Sequence, residues 1–431
     1  MRIGKLKKET FWAALSKGGT LVFFLLINAA LARILGRDKF GAWSYFYATF
    51  TIVYLASRLG IGDSARVFTA RALGGNTTPP IVAGLALQAL SSSLFSLGLL
   101  VAAVPLAALM DRPDFTLLFR LGALFLFTQG AADFFKLIFE GLHRLRFTFM
   151  ASTVDYALRL ALIVGLVWFF PEPWAVLAAF ITATLLCAAV SLFLLRRHFI
   201  LPMGGWSARG LPLFPMMAYA VPMFLLNLGF AVSVELDTVM LGWLTTDMEV
   251  GIYAPAKEIS ARMMHGGVLL AMSTLQVFAH AKPEELPGLR PLLNKLLGVA
   301  VVFYTACCAA ILLFAGWVMP FLFGAEYADA AIPMRLLTPF IFYLSVSRVF
   351  TGILDYRGRA WMRAAYLALS VLLNFALNLV LIPRFGAAGA ATATSLAYLP
   401  YAVLSWRDMR RLLKPAVPAP PPAVKTAGGN E

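Results

Sequence analysis

The chain has 431 residues, of which 61% are hydrophobic and 13% charged, and its mean hydropathy is +0.81. Soluble proteins run near about 45–50% apolar and about 25% charged, which excludes an ordinary soluble domain and predicts an integral membrane protein. A formal charge of +15 would suit nucleic acid, but the cations are dispersed between apolar runs, so no nucleic-acid partner is expected.

A basic head (Arg2, Lys5, Lys7, Lys8) precedes the first apolar run. Ala30-Leu31-Ala32 imitates a signal-peptide cleavage site, yet the run covers 11–35, longer than the about 7–15 residues of a signal-peptide core. It is read as a retained first span. Further runs follow at 40–59, 81–109, 115–142, 147–170 and 174–195. After a polar linker come 213–244, 249–279, 289–323, 330–354, 361–382 and 387–411. Each approaches the about 20 residues that a helix needs to cross a bilayer. Continuous apolar runs rather than alternating strands of about ten residues disfavour a closed barrel.

Cations collect in the even-numbered loops, for example Arg58, Arg66 and Arg71, then Arg144 and Arg146, then Arg357 and Arg359. The opposite loops are poorer in cations and carry Glu172, Asp247, Glu326 and Asp329. By the positive-inside rule both termini are expected in the cytoplasm, as an even span count also requires. The residues after Lys414, with Pro-Ala-Pro-Pro-Pro and Ala-Gly-Gly-Asn, are too poor in bulky side chains to pack and are expected to be disordered.

Catalytic signatures are missing. No GxxxxGK[ST] loop, GxSxG or HExxH occurs, and the three cysteines and four histidines show no metal-ligand spacing, so neither an enzyme nor a metal is expected. No loop exceeds about twenty residues, short of the about 50 of a soluble domain. A membrane-embedded glycosyltransferase or polymerase is therefore disfavoured.

Ionisable residues inside the spans are the informative exceptions. At about 1.5 Å per residue, Glu235 lies about 15 Å, Lys257 about 13 Å and Arg262 about 20 Å from the turn at Thr245–Met248, all near the middle of a core about 30 Å thick. An isolated charge there costs at least about 2.5–3.5 kcal/mol, so these groups should face a polar cavity or a partner. Glu258 and Arg262 are spaced for an i, i+4 pair, and Glu235 or Asp237 would neutralise Lys257. Glu235 and Asp237 lie about 200° apart on a helix and cannot both face one narrow cavity. Lys17 sits about 9 Å inside the first span, where it either snorkels or reaches a cavity. Asp133, Lys136 and Glu140, with Asp155 and Arg159, are spaced as ion pairs holding the first half together. Arg120 and Arg348 are read as interface anchors, and Asn374 with Asn378 as helix glue.

The halves echo each other. Leu35-Gly36 followed by Phe40-Gly41-Ala42-Trp43 returns as Leu241-Gly242 followed by Val250-Gly251-Ile252-Tyr253. Asp237-Thr238-Val239-Met240-Leu241-Gly242 with Val250–Ala256, Asn374–Leu379 with Ile382-Pro383-Arg384-Phe385-Gly386, and Ala32-Arg33-Ile34-Leu35-Gly36 carry a wider likeness. On them the chain resembles the polysaccharide-exporter, or oligosaccharide-flippase, branch of the multidrug/oligosaccharidyl-lipid/polysaccharide flippase superfamily.

That resemblance implies an all-α membrane protein with about twelve transmembrane helices in two six-helix lobes around a central cavity. The lobes would cover 1–198 and 213–413, joined by a cytoplasmic linker at 199–212 and followed by the tail at 414–431. It further implies alternating access for a lipid-linked glycan, here an undecaprenyl-pyrophosphate-linked oligosaccharide, crossing the cytoplasmic membrane for surface polysaccharide synthesis. Lys257 and Arg262 would attract the pyrophosphate, and Arg58 and Arg66, with Lys17, would form a receiving mouth. Glu235, Asp237 and Glu258 are the candidate coupling or cavity acids for H+, Na+ or the membrane potential. The bilayer, a polysaccharide polymerase and glycosyltransferases are the expected partners. The competing expectation is a cation-coupled multidrug or metabolite exporter of the same superfamily.

Overall fold

The computed structural model describes residues 3–198, 211–263, 278, 281, 283–357 and 359–413. Most of the expected linker, the tail, and the second half of the 249–279 span lie outside the described residues. So does the side chain of Lys17, although its backbone is helical. Where described, the chain is helical and contains no strand. In hydrocarbon every backbone N–H and C=O must be satisfied within the segment, and a helix does this for an apolar run.

The helices are α1 (Ile3–Ser57), α2 (Ile61–Arg71), α3 (Thr78–Leu109), α4 (Phe115–Gly141), α5 (Leu145–Leu162) and α6 (Pro173–His198). The second half holds α7 (Leu213–Leu244), α8 (Asp247–Met263), α9 (Arg290–Phe323), α10 (Ala331–Leu336), α11 (Thr338–Tyr356), α12 (Ala360–Ala397) and α13 (Leu399–Leu412). Among the described residues eight helices are long and apolar enough to cross a membrane, or nine counting one bent pair. Two of the eight hold two expected spans each, because α1 breaks at Gly36 (φ +73°) and α12 at Gly386 (φ +52°). Only glycine adopts these left-handed values readily, so each break falls where the sequence supplies it. The Glu249 carboxylate accepts the Ala387 amide at 2.6 Å and ties down the second break.

One expected span is not a single rod. The run 330–354 divides into α10 and α11, bent by 50° at Leu337. Pro339, in the first turn of α11, has no N–H to donate back across the joint. A π-helical turn, Ile163–Val167, continues α5.

In the first half α3 packs on α4, α4 on α6, and α5 on α1 and α6; in the second, α9 packs on α11, and α12 on α7 and α13. The halves meet along α1, which lies against both α7 and α8. At the end of the molecule that carries Gly36, this contact is backbone to backbone. A Cβ on Gly41 would land on the carbonyl of Asp247, and one on Gly251 would land on the carbonyl of Arg37. Each glycine of the repeated pair thus covers the residue four positions before the other, as a pseudo-two-fold axis between the halves requires. Ion pairs surround the contact: Arg37–Asp329 at 3.0 Å and Arg112–Asp247 at 2.7 Å. Arg33 adds hydrogen bonds to the carbonyls of Phe321 and Leu322 at the C-terminus of α9. At the opposite end, near Gly60, α2 touches α7 through Ser64 Oγ to the Met216 carbonyl (2.8 Å) and Asn227 to Asp63 (3.0 Å).

Candidate substrate cavity

Two cavities lie between these ends. A small one of about 70 Å³ sits where the halves face each other, with Asn28, Tyr47, Arg159, Glu235, Lys257 and Glu258 among its lining residues. A larger one of about 420 Å³ opens among α7, α8, α11, α12 and α13, with walls that are mostly apolar. Its charged groups are Asp237, Arg262, Arg348 and Arg363, with Lys257 in the wall shared by the two cavities.

The spacing of the charges along α7 and α8 explains this partition. Glu235 and Asp237 point to different sides of α7, so Glu235 lines the small cavity and Asp237 the large one. Lys257 Nζ donates to Glu235 and, at 2.8 Å, to Thr238 Oγ1. Arg262 pairs with Glu258 at 3.1 Å and lies over the Phe24 ring at 3.7 Å, a contact from the second half to the first. The cations expected at mid-depth are therefore neutralised where they stand and still line open space.

Asp237 is different. It is buried, at 5% exposed, and its carboxylate accepts three neutral donors: Tyr253 at 2.9 Å, Asn378 at 2.8 Å and Thr394 at 2.5 Å. Asn378 also donates to Asn374 at 3.1 Å, and its own carbonyl oxygen is buried without a hydrogen bond. The asparagines expected to glue helices thus hold a carboxylate, and no cation among the described residues pairs with it.

The first half locks its charges. Lys136 bridges Asp155 (2.7 Å) and Asp133 (3.3 Å), Arg159 pairs with Asp155 at 2.7 Å, and Tyr54 donates to Asp133 at 2.6 Å. The spacing predicted these ion pairs except for Glu140, which pairs with Arg66 at 3.3 Å. Arg66 also meets Asp63 at 3.3 Å. Arg58 and Arg66 line neither cavity, and the structure does not bring them to the Lys257 cluster.

Arg348 departs from its sequence reading. It lines the large cavity, and no carboxylate among the described residues pairs with it. Its neighbours on the cavity face of α11 are Phe340, Leu344, Thr351 and Gly352, at helical spacing. That stripe, which mixes small and polar residues with apolar ones, was the signal a helical projection would have found. Arg363, on the next helix, pairs with Asp355 and donates to the Thr351 carbonyl at 3.0 Å.

Two helical halves with paired charges and open space at mid-depth define a multi-pass membrane protein with a transporter fold. The fold matches the inward-facing conformation of a multidrug resistance MATE family transporter of the MOP superfamily. The TM-score is 0.74 at 16% identity, over 91% of this chain and 94% of that one. It also matches the lipid II flippase MurJ in an inward closed conformation, with a TM-score of 0.70 at 11% identity over 93% and 89% of the two chains. Residues 6–278 match the family model described as polysaccharide biosynthesis protein, and the chain belongs to that family. It is similar to the probable low-salt glycan biosynthesis flippase Agl15 of Haloferax volcanii, 26% identical over 170 residues. The match spans 39% of this chain and 36% of that relative's length.

Proposed function

We propose that this chain is a flippase that moves an undecaprenyl-pyrophosphate-linked oligosaccharide from the cytoplasmic to the outer leaflet by alternating access. One observation carries the reading: cations line a mostly apolar cavity, the surface that an anionic headgroup on an apolar chain would need. The family, the flippase relative and the MurJ-like fold support it. By the positive-inside rule the Gly60 end faces the cytoplasm with both termini, and the Gly36 end, closed by its ion pairs, faces outward. The cargo then enters from the side on which it is made, by glycosyltransferases, and leaves toward a polymerase.

Lys257 and Arg262 leave their carboxylates in part to bind the pyrophosphate. Two charge-assisted hydrogen bonds are worth about 1.5–3 kcal/mol each, so losing both should slow transport by roughly a hundredfold or more. In a leaflet-accessibility assay with lipid-linked oligosaccharide, Lys257→Ala combined with Arg262→Ala is expected to show that loss. Flipping at the wild-type rate would remove the proposed site.

Asp237 carries the coupling step in this reading. A buried carboxylate held by neutral donors alone is a site that a proton or sodium ion would neutralise. Asp237→Asn should therefore leave any residual transport insensitive to sodium and proton gradients, as measured by imposing each gradient on proteoliposomes. The same acid would serve a cation-coupled exporter; efflux of a lipophilic cation without movement of lipid-linked sugar would favour that second reading.

A further inference from the structure

The cavity cations are not equivalent. Lys257 is neutralised by Glu235, Arg262 by Glu258 and Arg363 by Asp355. Arg348 alone among these four has no carboxylate partner among the described residues. The other titratable side chains of the cavity wall are Tyr253, Tyr398 and Tyr401, the cations Lys257, Arg262 and Arg363, and Asp237, which three neutral donors hold. Asp408, on α13, is taken by Tyr366 at 2.8 Å and faces Arg359 and Arg411 at 3.8 and 3.9 Å. Residues 264–277, which complete the expected span of α8, contain no Asp or Glu.

Its depth matters as much as its isolation. Arg348 lies eight residues before Tyr356 in α11, about 12 Å inside the Gly60 end of the helix at about 1.5 Å per residue. A guanidinium cannot lose its proton there, and without a counter-ion it must hold water or an anion. Phe230, Leu337, Phe340 and Leu367 line the same cavity and supply apolar wall. We infer that Arg348 is the anion anchor of the cavity: it binds a phosphate or pyrophosphate ester carried on an isoprenoid chain, and the paired Lys257 and Arg262 engage only after it. The inference rests on the flippase reading and deepens it by assigning first recognition of the headgroup to one unpaired residue in the second half.

The probe is farnesyl pyrophosphate, which joins the same anion to a short isoprenoid, tested against the detergent-purified full chain by tryptophan quenching, with inorganic pyrophosphate as the second arm. Arg348→Gln should weaken farnesyl pyrophosphate binding by about tenfold or more and flatten its salt dependence. Arg348→Lys should restore much of both, which a packing role for the guanidinium would not produce. Arg335→Gln, an exposed cation on α10 outside the cavity, should bind as wild type. Wild type should prefer farnesyl pyrophosphate to inorganic pyrophosphate; equal affinities would overturn the isoprenoid ligand. Undiminished binding by a monodisperse Arg348→Gln, with wild type binding normally, would overturn Arg348 as the anchor and leave the flippase reading standing. Failure of wild type to bind either probe would instead overturn that reading together with the inference.

Discussion

Asp155 shows how far a charge pattern can be read before a fold is known. Its i, i+4 spacing to Arg159 and the i, i+3 spacing of Asp133 to Lys136 predicted ion pairs, and the structure joins both through Lys136. With Asp155 at 1% exposed, removing it leaves the buried Arg159 without a carboxylate and Lys136 with Asp133 alone. Asp155→Ala should cost about 3–5 kcal/mol of stability, read as a lowered melting temperature in detergent, and Asp155→Asn less. Local spacing says nothing, however, about residues that meet through tertiary packing. Glu140 finds Arg66 because α2 folds back against α4, and Asp237 finds Asn378 and Thr394 because α12 lies against α7. The cavity position of Arg348 is illegible for a related reason: it depends on which helices leave space beside α11, and a lone arginine near a span end resembles an interface anchor.

At the scale of the element, glycine did what the sequence implied and proline did more. Gly36 and Gly386 separate expected spans at the predicted turns, whereas the bend at Leu337, beside Pro339, falls inside a stretch expected as one span. The repeated Gly41 and Gly251 had a second meaning that only the packed halves reveal, since each is the point where a backbone carbonyl of the opposite half comes to rest. Replacing either with valine puts a branched side chain where a carbonyl must sit, and the backbone cannot yield. Gly41→Val or Gly251→Val should therefore prevent closure of the Gly36 end. The expected outcome is loss of flipping with normal membrane levels. Unchanged flipping would show that the close contact is dispensable.

Over the whole molecule, the two halves differ in chemistry. The first closes Asp133, Lys136, Asp155 and Arg159 into one network, of which Arg159 also lines the small cavity, whereas the second lines the large cavity with its cations and holds Asp237 and Arg348 without charged partners. Composition and span count made the architecture legible, because hydrocarbon tolerates so few backbone solutions. The asymmetry between the halves was not legible, because it depends on which faces of equally apolar helices turn toward one another. Transport of this kind requires a vestibule that holds water at the depth of Lys257 and opens to one side at a time. The most direct measurement places a single cysteine at Ser233, which lines the large cavity, in a chain whose Cys187, Cys307 and Cys308 are replaced. An impermeant maleimide should react with it from the cytoplasmic side of oriented vesicles, and lipid-linked oligosaccharide should suppress that reaction. A cysteine that reacts from neither side, with or without the glycolipid, would mean a dry interior and would contradict the account.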